Sequence, residues 1–323
     1  MPMKALQQRL AHAAARFDPE TRVFGLARSG IAVGQLILLL WTPAAYLFVP
    51  VLGRDESLNC DAVITRLGMY CVLGDQIGLQ AVQWILVAAL ILVAVGIFPR
   101  VTGVLHYYVT VSISASISLP DGGEAVAQVA TFFLMLIAFG DRRWNHWISS
   151  KLSRNEPRFT QALAWAASWG LRCQMAYIYA SSAILKIGVD PWSDGTAVYY
   201  VAHGEFFGTA NPLEPLVTSA LDLPLLALSA AWGTIIAESS IAVLLLIPHR
   251  RAAKVALTLS ATLHLVIIAV IGLWTFALII VFAVVGATSW AWGRGLAHAP
   301  DAAADQPQGD TEALFALSGD REP

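Results

Sequence analysis

Long apolar runs are the feature that most constrains how this chain can fold. A helix that crosses a bilayer needs roughly 20 mostly apolar residues, because lipid offers its backbone no hydrogen-bond partners. Eight such runs occur, at 30–50, 78–98, 102–119, 124–140, 165–187, 229–247, 253–271 and 273–291. The pattern predicts an all-α integral membrane protein, a helical bundle of about eight spans.

The distribution of basic residues predicts the orientation of this bundle, because cytoplasmic connections are enriched in Lys and Arg. The N-terminal segment, every second connection between the runs and the segment after the last run carry nearly all of them: Lys4, Arg9, Arg16, Arg22, Arg28, Arg100, Arg142, Arg143, Lys151, Arg154, Arg158, Arg250, Arg251, Lys254 and Arg294. The other connections are nearly bare, since 51–77 holds Arg54 and Arg66 and 188–228 holds none. Both termini are therefore expected to be cytoplasmic, in a multi-pass protein of the bacterial cytoplasmic (inner) membrane, with a mostly helical outer region at 188–228.

Composition agrees with a membrane protein and bounds the domain organisation. Hydrophobic residues make up 57% of the chain and charged residues 13%, against about 45–50% and about 25% in soluble domains. The sequence has no basic stripe with interleaved aromatics, so nucleic acid is not an expected partner. We expect a transmembrane domain at 28–293, an amphipathic N-terminal segment at 1–27 that lies on the inner interface or is simply solvated, and a disordered cytoplasmic tail at 294–323.

Two cysteines lie close together in the first outer loop. Cys60 and Cys71 both face the oxidising side in the predicted orientation, where neighbouring thiols tend to pair. We therefore predict a Cys60–Cys71 disulfide, and two free thiols are the alternative.

Lys186 is the strongest candidate for chemistry. It stands near the outer end of the fifth run, followed by Asp194 and the aromatic residues Trp192, Tyr199 and Tyr200. A terminal lysine can simply extend its amine to the interface. A lysine that is partly desolvated among these neighbours could instead exchange a proton and act as a base.

Further polar residues lie within or beside the apolar runs. Glu238 is in the middle of the sixth run and His264 is within the seventh. Intramembrane ionisable residues are costly and usually face the bundle interior, so they are either functional or bonded to a neighbouring helix. Asp121 and Glu124 flank a Gly-Gly pair that is most simply a tight turn, although the turn should share a face with Lys186. The sequence contains no metal-binding or nucleotide-binding motif.

At these residues the sequence resembles a known family. The segment AILKIGVDPWSDGTAVYYV is similar to the Lys–Trp–Asp–Gly segment of the horizontally transferred transmembrane domain, which vitamin K-dependent gamma-carboxylases share. Glu238, in the fragment AES, and His264, in the fragment HL, look like that superfamily's Glu and His positions. The segment RVTGVLHYYVTVSISASISLPDGGEAVAQVATFF and the two-cysteine loop resemble the sporulation-delaying toxin maturation protein B family.

The resemblance implies a function and a set of partners. Members of that family act in the membrane with a small companion protein, and together they convert a secreted precursor into a mature peptide toxin. In the carboxylases, a lysine at the position of Lys186 deprotonates a reduced, vitamin K-like quinone, which makes such a quinone a possible cofactor here. The carboxylases' N-N-H turn corresponds to Asp121–Gly122–Gly123, so its histidine is absent. Their large lumenal domain is also missing.

These observations lead to one main expectation and two alternatives. We expect a membrane component of a toxin maturation system that acts at the outer membrane face on a secreted peptide precursor. The alternatives are a quinone-dependent, carboxylase-like enzyme acting on a peptide, and a non-catalytic scaffold or immunity protein. In the main hypothesis Lys186 is the reactive base, Asp194 and Glu238 orient it, and His264 relays protons. Substrate contacts are assigned to Asp121, Glu124, Trp192, Tyr199 and Tyr200.

Overall fold

The computed structural model describes residues 3–15, 17–50, 58, 60, 62–118, 120–148, 158–205 and 207–292, and this part of the chain is all-helical. The predicted tail at 294–323 lies outside the described residues, as does much of the loop before Cys60. The helices are α1 Met3–Ala15, α2 Arg22–Trp41, α3 Ala44–Leu47, α4 Val63–Arg66, α5 Met69–Ile77, α6 Leu79–Val95, α7 Pro99–Ser116, α8 Gly122–Ala138, α9 Arg158–Ile187, α10 Asp190–Ser193, α11 Ala197–Ala202, α12 Glu214–Leu221, α13 Pro224–Leu246, α14 Arg250–Ile271 and α15 Trp274–Ala287.

Each of the eight apolar runs overlaps one long helix. Three of these helices, α2, α13 and α14, are long and apolar enough to cross a membrane by themselves. Helices α6, α8 and α15 are apolar but shorter. The structure therefore supports a membrane protein, while the count of eight spans and the orientation of the termini stay predictions.

The boundaries of some runs differ from those of the helices. The first run was expected at 30–50, but α2 ends at Trp41, and 44–47 forms the separate turn α3. Pro43 explains the break, because proline has no N–H to donate and disfavours helical geometry in the residue before it. The outer region 188–228 is mostly helical, as expected: the short helices α10, α11 and α12 and the start of α13 are joined there by turns.

Helix α2 contributes to both of the large buried clusters of the bundle. Its residues Phe24, Ala27 and Ile31 belong to a buried cluster with α8, α9, α13, α14 and α15. Ala32 and Leu39 belong to a second cluster with α5, α6 and α7. The backbones of α2 and α15 approach closely, because a Cβ at Gly30 would overlap the Phe282 ring and one at Gly34 would lie 2.9 Å from Ile279 Cγ1. Small residues at such crossings are typical of helix packing in membranes.

The two ends of the bundle are held by different contacts. The predicted disulfide is confirmed, since Cys60 and Cys71 are bonded with their Cα atoms 5.8 Å apart. At the other end, Gln161 Nε2 donates to the carbonyl oxygens of Ala15 and Phe17, at 2.9 and 3.0 Å, and so attaches α1 to α9. Whether 1–27 lies on the membrane interface stays a prediction.

Candidate functional site

Lys186 and Glu238 form an ion pair between α9 and α13. Lys186 Nζ donates to both carboxylate oxygens of Glu238, at 2.8 and 2.9 Å. It also donates to Ser182 Oγ at 2.6 Å, and that hydroxyl donates to Glu238 Oε1 at 3.1 Å. The side chains are 19% and 10% exposed, respectively. The three donors of the ammonium group are thus all bonded in a largely buried setting.

The sequence positions these groups in a simple way. Ser182 and Lys186 are four residues apart, so they lie on one face of α9. At 1.5 Å per residue, Glu238 lies about 21 Å from the first residue of α13 and about 12 Å from the last, which is mid-helix. An unpaired charge there would be costly, so the opposite charge from α9 stabilises it.

The Trp192 ring lies over the ammonium group of the ion pair. Lys186 Nζ lies 5.1 Å from the centroid of the Trp192 ring, within cation–π range. Trp192 is part of α10, which packs against both α9 and α13. A hydrogen bond of 3.3 Å from Trp232 Nε1 to the Ser193 carbonyl attaches α10 to α13. The predicted substrate contact Trp192 therefore lies directly on the ammonium group.

A second polar group joins α9 to α14 about one turn from the ion pair. On α9, Tyr179 precedes Ser182 by about one turn, and its hydroxyl lies 2.7 Å from Ser260 Oγ. His264 Nδ1 is hydrogen-bonded to the Ser260 carbonyl at 2.8 Å, and its ring meets the Tyr179 ring edge-on at a centroid distance of 6.2 Å. The buried His264 therefore reaches the neighbourhood of the ion pair through Tyr179 and Ser260.

The Asp121 and Glu124 pair closes the start of α8. Asp121 Oδ1 accepts from Gly123 N at 2.6 Å, and Asp121 N donates to Glu124 Oε2 at 3.0 Å. This is a capping box, which satisfies two of the amides left free at a helix start. The box is near His264 in space, because Phe276 stacks on the His264 ring at 5.6 Å and also abuts Gly123. The structure thus gives these carboxylates a structural role, and their contact with a substrate stays a prediction.

The remaining predicted residues lie in the outer region and bond elsewhere. The Asp194 carboxylate accepts from Thr196 N at 2.9 Å and from Thr196 Oγ1 at 2.6 Å, and these bonds hold the pKa of Asp194 below its usual range. Tyr199 stacks on His203 at a centroid distance of 4.1 Å, and Tyr200 is 62% exposed. Asp194 therefore holds its own turn, and Glu238 is the carboxylate on Lys186.

Sequence reasoning missed a buried polar group near the start of α2. Arg28, counted above as a loop charge, is 3% exposed and donates to Thr102 Oγ1 at 2.9 Å. Next to it, Asp141 and Arg143 form a buried ion pair of 2.6 Å, and His146 Nε2 lies 3.1 Å from Ser29 Oγ. Burial, and then the positive charges of Arg28 and Arg143, lower the pKa of His146 to about 3. The polar residues at 141–146 were the available signal.

The described residues offer few groups that could hold a cofactor. They contain no group of three His, Cys, Asp or Glu side chains close enough to hold a metal ion. A cavity of 150 Å³ exists, but it is lined by Arg172 and its neighbours and not by Lys186. The hypothesis of a reduced quinone beside Lys186 therefore stays a prediction.

Comparison with known proteins places the chain among bacterial relatives. No family model and no solved structure matches it. It is 32% identical to the uncharacterized protein YitO of Bacillus subtilis (strain 168) over 264 residues. That alignment covers 81% of this chain and 83% of YitO. It is 27% identical to the sporulation-delaying protein SdpB of the same organism over 253 residues. That alignment covers 77% of this chain and 75% of SdpB. The chain therefore belongs to the family of YitO, and its similarity to SdpB supports a sporulation-delaying protein B-like family.

Proposed function

We propose that this chain is the multi-pass inner-membrane component of a toxin maturation system, and that the Lys186–Glu238 pair is its reactive centre. The similarity to SdpB supports the first part. The observation that carries the second is a lysine held on a carboxylate inside an apolar bundle, beneath a short outer helix that bears Trp192. A secreted peptide precursor would reach this pair from the outer face, and a small membrane-associated companion protein would present it.

The pair can exchange one proton internally. Transfer from the ammonium to the carboxylate gives a neutral amine and a carboxylic acid, with no net change of charge. In an apolar setting the neutral pair is less penalised than separated ions, because desolvation disfavours charge. The amine would then act as a base: it would accept a proton from the precursor and become an ammonium group again. Tyr179, Ser260 and His264 would carry the extra proton away from the pair.

The scaffold alternative rests on an observation too. All three donors of the Lys186 ammonium group are already bonded, as in an ion pair whose only role is to join two helices. In that case the pair could be replaced by apolar residues with no loss of maturation.

The test is a comparison of Lys186→Arg with Lys254→Arg. Lys254 is an exposed lysine whose amine also lies over an indole, 5.2 Å from the Trp292 ring, and it has no part in the proposed centre. Mass spectrometry of secreted peptides and the membrane level of each variant would be measured together, in cells that also produce the maturation partners. We expect Lys254→Arg to mature the peptide normally and Lys186→Arg to abolish maturation at normal membrane level, because arginine stays protonated. Full product from Lys186→Arg would overturn the reactive role and favour the scaffold.

A further inference from the structure

A second site lies at the other end of α9, about 21 Å along the helix from Lys186. It is a cavity of 150 Å³ between α9, the connection from α13 to α14, and the end of α15. Three of its walls are indole rings and its one charged wall is an arginine. The lining residues are Phe17, Trp165, Ser168, Trp169, Arg172, Pro248, Ala287, Ser289 and Trp290.

Arg172 is held rigidly at this cavity. Its guanidinium lies between two indoles, 4.6 Å from the ring centroid of Trp169 and 4.8 Å from that of Trp290. It donates through Nε to the Leu245 carbonyl and through Nη2 to the Ile247 carbonyl, the latter at 2.8 Å. These bonds satisfy carbonyl groups left free at the end of α13.

The same bonds leave part of the guanidinium unused. Arginine has five N–H donors, and the two bonds to α13 occupy two of them. Nη1 has no acceptor among the residues that the structure describes, although the residue is only 3% exposed. A buried cation with unspent donors on the wall of a cavity suits an anion, and no carboxylate is among the cavity's lining residues to supply one.

The surroundings indicate where such an anion comes from. In the predicted orientation this end of the bundle lies at the cytoplasmic interface, where indoles are enriched. Pro248 on the cavity wall is followed closely by the basic residues Arg250, Arg251 and Lys254, which are exposed. The cytoplasmic leaflet is rich in anionic lipid, and basic pockets between helices on that side bind lipid phosphates. We propose that this cavity binds the phosphate headgroup of an anionic phospholipid from the cytoplasmic leaflet, with Arg172 as the contact to the phosphate.

The test measures lipid bound to the full chain in mild detergent. Native mass spectrometry would record retention of phosphatidylglycerol against phosphatidylcholine for the wild type, Trp290→Ala, Arg172→Gln and Trp144→Ala. Trp144 is the matched control, a 59% exposed indole outside the cavity lining. We expect one retained phosphatidylglycerol in the wild type and in Trp144→Ala. Loss of a charge-assisted contact should weaken that retention about tenfold or more in Arg172→Gln, and Trp290→Ala should weaken it in the same direction.

Three results would overturn the proposal. The first is equal retention of both lipids by the wild type, and the second is equal retention of phosphatidylglycerol by the wild type and Trp290→Ala. The third is displacement of the lipid by millimolar inorganic phosphate, which would identify a site for the free anion. Because Trp290→Ala leaves Arg172 and its bonds to α13 in place, the comparison holds even if Arg172→Gln fails to fold. None of these results depends on peptide maturation.

Discussion

Removing one partner of the Lys186–Glu238 pair should destabilise the protein far more than removing both. In Lys186→Met, the carboxylate of Glu238 keeps its 10% exposure and loses a cation 2.8 Å away. Breaking a buried pair in this way typically costs about 3–5 kcal/mol. The carboxylate can instead take up a proton, which for an ordinary carboxylic acid at pH 7 costs about 4 kcal/mol and so limits the loss.

The double variant Lys186→Met with Glu238→Leu gives the sharper comparison. Apolar replacement of a whole buried pair is often neutral or stabilising. We therefore expect each single variant to lose about 3–4 kcal/mol of unfolding free energy, and the double variant to lie within about 1 kcal/mol of the wild type. The coupling energy between the two side chains would then be well above the error of a mutant cycle. Unfolding by a denaturing detergent, followed by resistance to proteolysis, would measure each value.

The same double variant separates structure from chemistry. If the pair is reactive, the double variant should be stable and yet produce no mature peptide. Additive losses of stability in the double variant would refute the reasoning, because they would mean that the two side chains do not interact in the membrane.

Three further predictions follow from other parts of the structure. For topology, a cysteine at the exposed Ala210 should react with an impermeant thiol reagent in intact cells and one at the exposed Trp144 should not; the reverse would invert the orientation. Gly30→Ala should lower thermal stability, by about 1–3 kcal/mol for overpacking, whereas Gly233→Ala, with open space around its Cα, should not. The free energy of unfolding should fall as the pH drops from about 6.5 to about 3, because the unfolded chain binds a proton that His146 in the fold does not. His146→Asn should flatten that dependence, and an unchanged slope would contradict it.

The apolar runs predicted the long helices because apolar length is a local property. They could not predict where α2 begins, since Arg28 looks like a loop charge until the packing of α2 against Thr102 buries it. The disulfide was predictable for a similar reason, because both cysteines lie in one short loop.

The candidate site was predictable only in part. Charged residues within apolar runs are conspicuous, so Lys186, Glu238 and His264 could be named from the sequence. The polar contacts of His264 could not, because Tyr179 and Ser260 are ordinary residues in helices until α9 and α14 are brought together. The capping role of Asp121 and Glu124 was predictable from their spacing, since an Asp followed three positions later by Glu is typical of a helix start.

The packing of α2 against α15 has a consequence for biosynthesis. Gly30 and Phe282, which touch across that contact, are roughly 250 residues apart, so α2 can pair with α15 only after nearly all of the described helices have been made. Until α15 has been made, the face of α2 that carries Gly30 and Gly34 lacks this partner. The pairing of α2 with α15 is therefore a late step of assembly, and a nascent chain that stops before α15 should be recognised by membrane proteases as unfinished.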